Sequence, residues 1–451
     1  MTIPSFRVSR LLSRRHVRAA KVLSARWQRR AIFLLGGIAV GAAAVALALL
    51  ADQAQELFAL LIGRWRYASV VVTPAGLMLS VFLTNRFFQN SQGSGIPQAI
   101  AARQLSDQRA RGRLVSIRIA VGKILLTLLG LLCGASVGRE GPTVQVGASI
   151  MFAIGRMSPR RQPGLILVGA AAGVAAAFNT PLAGIVFGIE ELSRSFESRT
   201  SGLIIGGVIA AGLTSLAVLG NYTYFGTSAG TLHAGMDWLA VPLCGLAGGL
   251  AGGLFSQVVI AVARGLPGPV GRASKRHPLL FAMVCGIAVA ACGLASGDTI
   301  YGTGYAQVKA ALDSGGTLPG SFGLLKFLST TFSTISGIPG GIFSPSLAVG
   351  AGLGADVAQL LPGAPLGPIM LLGMVSYFAG VVQAPITAFV IVAEMTDNHA
   401  MVIPLMAAAL IAYVTSRGVC REGIYHALSK GFLSKAAAPE PQEKTGEKAA
   451  G

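Results

Sequence analysis

The chain has 451 residues, of which 53% are hydrophobic and only 12% charged, with a formal net charge of +19. Soluble proteins carry about 25% charged residues, so a soluble globular protein is excluded, and the lack of ~10-residue alternating segments excludes a β-barrel. The basic excess lies in short polar stretches between apolar ones, which argues against nucleic-acid binding and leaves a polytopic α-helical membrane protein.

Residues 5–30, SFRVSRLLSRRHVRAAKVLSARWQRR, read as a basic interfacial amphipathic helix. The arm is too long and too rich in Arg for a secretory leader, and no small-residue cleavage site follows a short apolar core. A spanning run follows, AIFLLGGIAVGAAAVALALLA (31–51). Then comes GSGIPQ (93–98), a basic stretch from Arg103 to Arg113, and the apolar ILLTLLGLLCGAS (124–136). The next stretch, GREGPTVQVGA (138–148), places Arg139 and Glu140 side by side between apolar segments. Ionisable groups within a membrane are costly and functional by default.

Further along stand TPLAGIVFGIEE (180–191), a second basic stretch from Arg264 to Lys275, GTGYAQ (302–307), SPSLAVGA (344–351) and the long apolar run 370–394. The basic clusters mark a cytoplasmic side by the positive-inside rule, and they favour contact with anionic lipid. Residues 436–451 are poor in hydrophobic side chains and are expected to be disordered. No soluble domain is expected before or after the membrane region. The five cysteines (133, 244, 285, 292, 420) and five histidines show no metal or disulfide spacing, so neither metal nor cofactor is expected. HExxH and an intramembrane Asp pair are both missing, which argues against an enzyme.

Three pairs of stretches repeat in the same order. Pro142 and Pro345 are 203 residues apart, Pro181 and Pro385 are 204 apart, and GSGIPQ and GTGYAQ are 209 apart. The fold class that follows is an all-α membrane protein of two related halves with broken helices, meeting around residues 222–236. The expected organisation is a basic segment (1–30), a first repeat (31–225), a second repeat (226–433) and a cytoplasmic tail (434–451). Pro97, Pro142, Pro181, Pro345 and Pro385 each mark a helix start, where the missing N–H costs nothing. Helix N-termini carry unpaired N–H groups and about half a positive charge. Several aimed at one point make an anion site that full charges do not hold too tightly.

GSGIPQ, GREGP (138–142), GGIFSP (340–345) and Tyr425 in REGIYHAL (421–428) resemble the CLC family of chloride channels and chloride/proton exchangers. The resemblance covers about residues 30–430. It implies inverted halves, a homodimer with one anion pathway per subunit, and an inner-membrane location with both termini cytoplasmic. By the same resemblance, Ser94 and Tyr425 donate hydroxyls to a central chloride, with the backbone N–H groups of Ile342 and Phe343. Arg139 and Gly141 lend backbone N–H groups to an outer site. Glu140 is the gate, Glu191 the inner proton acceptor, and Lys123 a basic residue near the pathway. The implied cargo is chloride and protons.

Plainer readings stay open for several of these residues. Glu140 and Arg139 form a structural pair in one of them, although neighbours on a helix do not face each other. Ser94 serves as a helix N-cap in another, Tyr425 as an interfacial anchor, and Glu190 and Glu191 as a salt-bridged helix end. Ile338 and Ser344 are taken to supply no side chain the mechanism needs. Glu394, the repeat partner of Glu190, gives that pair a structural role and leaves Glu191 as the functional carboxylate. The leading function is chloride/proton antiport, and the alternative is a passive voltage- or pH-gated chloride channel of the same fold.

Overall fold

The computed structural model describes residues 6–157, 159–193, 198–220, 223–226, 230–233, 235–314 and 316–437. In the first half the helices are α1 (Phe6–Arg64), α2 (Ser69–Phe87), α3 (Ile96–Gln104), α4 (Gln108–Gly112), α5 (Ile117–Leu132), α6 (Glu140–Ile154), α7 (Gln162–Phe178), α8 (Pro181–Phe187) and α9 (Ser198–Leu219). In the second they are α10 (Ala240–Arg264), α11 (Gly268–Arg276), α12 (Pro278–Ala295), α13 (Tyr305–Ser314), α14 (Phe322–Ile335), α15 (Phe343–Gln359), α16 (Leu366–Val382), α17 (Pro385–Thr396), α18 (Val402–Val419) and α19 (Ile424–Ala437). Among the described residues, seven helical stretches are long and apolar enough to cross a membrane, from Arg30–Arg64 to His399–Val419.

The repeat sets the packing. The pair α6–α7 corresponds to α15–α16, and α1 against α9 corresponds to α10 against α18. Helices α7 and α16 are buried over almost their whole length, as expected of helices that are apolar all round. Their crossings need glycine. A Cβ on Gly147 would come 2.2 Å from the carbonyl oxygen of Gly169, and one on Gly373 would come 2.2 Å from that of Gly350. Small residues at these two equivalent points let α6 meet α7, and α15 meet α16, backbone to backbone.

The apolar run 370–394 is not one span. Helix α16 stops at Val382, Gln383 turns left-handed (φ +59°), and α17 restarts at Pro385. Asn179 (φ +56°) and Pro181 make the same break between α7 and α8. All five marked prolines lie in the first turn of a helix, as their sequence positions predict.

Between the helices, three non-helical strips stack at the centre. Gly93 N donates to Ile338 O at 3.1 Å, and Gly340 N donates to Gly93 O at 3.0 Å. Gly138 and Gly341 exchange reciprocal bonds of 2.7 Å each. These two glycines are repeat equivalents, so the exchange lies on the axis relating the inverted halves. Backbone away from helices at membrane depth survives because the strips satisfy one another.

Two buried lysines hold the neighbouring loops. Lys123 Nζ donates to Ser91 O and Gly93 O at 2.6 Å each, and Lys326 Nζ donates to Ile300 O at 2.8 Å and Gly302 O at 2.7 Å. Each lysine sits directly behind one Gly-Ser-Gly or Gly-Thr-Gly loop.

The basic segment runs into the first span without a break, since α1 is continuous from Phe6 to Arg64. Residues 1–5 and the expected tail beyond 437 lie outside the described residues.

Candidate functional site

Three helices begin at the central strips, α3, α6 and α15, and the start of α19 packs beside them through Tyr425 on Phe343. Gly93 (φ +64°) and Gly95 (φ +97°) bend the chain left-handed on both sides of Ser94, a path that glycine takes without Cβ cost. The N-cap of α3 is Gly95, with no side-chain capping bond, so Ser94 is not the plain cap that its sequence also allowed. Its hydroxyl is buried against Gly141, where a Cβ would come 2.4 Å from Oγ.

Tyr425, in the first turn of α19, is fully buried, which rules out an interfacial anchor. Its ring stacks on Phe343 at 6.2 Å, and its hydroxyl faces Ser94. Neither hydroxyl makes a hydrogen bond of normal geometry to the protein among the described residues. Two buried hydroxyls that face each other without protein partners suit a bound ion or water between them. Phe178, Phe187 and Phe378 complete an aromatic collar around Phe343, at 5.7, 5.6 and 4.7 Å.

Ile342 and Arg139 are the N-caps of α15 and α6, so their N–H groups, with those of Phe343 and Gly141, belong to first turns that lack intrahelical acceptors. The close approach of Gly141 to Ser94 and to Gly341 brings these ends together. The arrangement offers partial positive charge and hydroxyls, which suits a small anion. Lys123 enters indirectly, since its ammonium is spent on the loop carbonyls behind Ser94.

The two members of the Arg139–Glu140 pair turn apart. Arg139 donates to Ala48 O and Asp52 Oδ1 on α1, both at 2.6 Å, so no structural pair with Glu140 forms. Glu140 is fully buried. Its Oε1 accepts from Ser344 Oγ at 2.5 Å and from Tyr224 Oη at 3.3 Å. Its Oε2 lies over Gly138, beside the start of α15, with no hydrogen bond to the described residues. The expectation for Ser344 is thereby corrected: its side chain touches the Glu140 carboxylate, because the α15 terminus faces that of α6 across the axis.

Glu190 and Glu191 lie on a π-helical turn, Gly188–Ser193, a form often found at functional sites. Glu190 accepts from Ile386 N and Thr387 N at 3.1 and 2.6 Å. Glu394 answers with Leu182 N and Ala183 N at 3.1 and 2.8 Å. The two carboxylates therefore cap each other's neighbouring helices, α17 and α8, the structural role that the repeat assigned them. Glu190 pins the turn, and Glu191 is left buried beside the helix Tyr425 begins.

His426 Nε2 donates to Glu191 O at 2.9 Å and stands 3.6 Å from Glu191 Oε1. Both line a cavity of about 580 Å³ with Gln383, Arg417, Arg421 and Lys430. At its rim, the hydrogen bond from Lys430, with Arg264 nearby, holds the Glu422 carboxyl below its ordinary range. Arg103, Arg264 and the Glu191 turn thus meet at one end of the molecule. All five cysteines are buried.

Three contacting residues escape sequence reading: Ser344, Tyr224 and His426. Ser344 carried a signal, standing in a motif equivalent to the one that holds Glu140. His426 adjoins Tyr425 and had the same clue. Tyr224 had none, because it lies in the connection between the halves.

Comparison with known proteins gives consistent matches. The sequence profile described as "Voltage gated chloride channel" matches residues 75–417. The H(+)/Cl(-) exchange transporter ClcA of Yersinia pestis bv. Antiqua (strain Angola) is 32% identical, over 79% of this chain and 76% of that protein. ClcA of Cronobacter sakazakii (strain ATCC BAA-894) is 30% identical, over 82% and 80%. Among solved structures, a slow cyanobacterial Cl-/H+ antiporter superposes with a TM-score of 0.73 at 26% identity, over 90% of this chain and 97% of that one. A CLC-type fluoride/proton antiporter shares the fold, with a TM-score of 0.76 at 22% identity over 89% and 97%.

Proposed function

The chain belongs to the voltage gated chloride channel family, and from that membership we propose that it is a chloride/proton antiporter with Glu140 as gate and Glu191 as inner proton acceptor. The protein is a multi-pass membrane protein of a bacterial inner membrane. The cavity beside Glu191 is its cytoplasmic mouth, both termini lie on that side, and two copies form a dimer in contact with lipid.

The observation that carries this reading is a pair of buried carboxylates beside the Phe343–Tyr425 stack, one at an anion-type helix terminus and one at an open cavity. Chloride is held by the hydroxyls of Ser94 and Tyr425 and by the N–H groups of Ile342 and Phe343, then by those of Arg139 and Gly141 further out. An ionised Glu140 competes for the outer donors as an anion. A proton removes its charge, the side chain leaves, and chloride enters. One carboxylate is then both plug and proton carrier, so the two fluxes depend on each other.

In purified proteoliposomes, an imposed chloride gradient should drive protons uphill. Proton movement that fails to occur, with a reversal potential that follows chloride alone, would identify the passive channel instead. Anion choice tests Ser94. Ser94→Pro removes the donor between the two left-handed glycines and should shift the chloride/nitrate ratio towards nitrate. An unchanged ratio in folded protein would remove Ser94 from the ligand set.

A further inference from the structure

Tyr224 lies in the connection between the halves, where neither the repeat nor any motif assigns it a task. It is 1% exposed and held edge-on by Phe178 at 5.5 Å and Tyr305 at 4.7 Å. Phe225 N donates to Met395 O at 3.1 Å, which ties this connection to the end of α17. The Arg139 guanidinium carbon stands 6.0 Å from the Tyr224 ring centre. So confined, the phenol reaches Glu140 Oε1 at 3.3 Å and Ser344 Oγ at 3.3 Å, while Ser344 reaches the same carboxylate oxygen at 2.5 Å. Three oxygens from α6, α15 and the inter-half connection close a triangle.

We propose that Tyr224 and Ser344 together form a hydroxyl latch that retains the Glu140 carboxylate in the anion pathway and sets how readily the gate leaves it. This inference rests on the reading of Glu140 as the gate. Both O–H groups donate to a single oxygen, Oε1, so a departing carboxylate must give up two donors at once. The other charged and titratable groups facing this point are otherwise engaged or at a distance. Asp52 of α1 holds Arg139, Lys123 of α5 holds the Ser91–Gly93 loop, and Tyr425 of α19 faces Ser94. Helix α7 contributes no titratable group, Arg103 of α3 is engaged with Leu192 O and Ser193 Oγ, and Asp356 of α15 lies more than three turns from that helix's start. The latch is therefore made of neutral hydroxyls, and a hydroxyl can be deleted without stranding a charge.

Tyr224→Phe keeps the ring and its packing and removes only the donor. A hydrogen bond contributes about 1 kcal/mol net, so chloride turnover at neutral pH should rise about five-fold, with more chloride moved per proton. Ser344→Ala, which removes the shorter bond, should raise turnover in the same direction even if Tyr224→Phe does not fold. The decisive comparison places each change in a Glu140→Ala background, where neither should alter turnover, since no side-chain oxygen is left for the two hydroxyls to retain. Turnover unchanged or lowered in the folded single variants, or raised equally in the Glu140→Ala background, overturns the latch. If Glu140→Gln itself keeps full proton coupling, the gate reading fails instead, and the two failures stay distinct.

Discussion

Glu140→Gln is expected to keep chloride moving and to abolish proton movement. Glutamine has nearly the shape of the acid, so Ser344 and Tyr224 still find an oxygen at the place of Oε1. What disappears is the charge that rivals chloride for the α6 and α15 termini, together with the only site on that side chain able to take up a proton. Chloride flux should stay within a few-fold of wild type. Proton flux should fall by about 100-fold or more, the scale of losing a positioned proton-transfer group. Flux assays in proteoliposomes, with a chloride electrode and a pH electrode recording together, give both numbers. Proton transport that survives while chloride stops would reverse the assignment.

Removal of the inner acid should divide the two fluxes in another way. Glu191→Gln leaves the anion ligands untouched, so chloride should continue, whereas protons arriving from the cavity lose their buried acceptor. Proton transport should drop at least about 10-fold. Glu190→Gln is the control. Its carboxylate accepts two N–H groups at the start of α17, and an amide can accept through one oxygen only. That loss should lower stability by about 1 kcal/mol and leave the chloride-to-proton ratio alone. If both variants lose coupling equally, proton transfer does not pass through Glu191 in particular.

The parts of the fold legible in sequence were those enforced by local chemistry. Proline fixes a helix start whatever surrounds it, so all five marked starts came through. The repeat offset paired Glu190 with Glu394, and reciprocal capping followed. Side-chain aim was less legible. Within the apolar run 370–394 only Pro385 marked the break, because Gln383 in a left-handed cap leaves no trace in apolar character. Ser344 looked idle because its role depends on two helix ends meeting across the axis, which is a property of the assembled halves. Tyr224 was further out of reach, since its contact joins a connecting segment to a motif 84 residues away.

The exchanged caps have a consequence for how the protein is made. The N–H groups that open α8 are satisfied by Glu394, 211 to 212 residues further along the chain. During synthesis the first half therefore emerges with that helix end unfinished, and it stays so until nearly the whole second half has been inserted. The partner end, at α17, waits for nothing, because Glu190 is already made. The late half docks onto a cap prepared in advance and completes the early half in the same motion. A chain cut between the halves loses no residue of either cap.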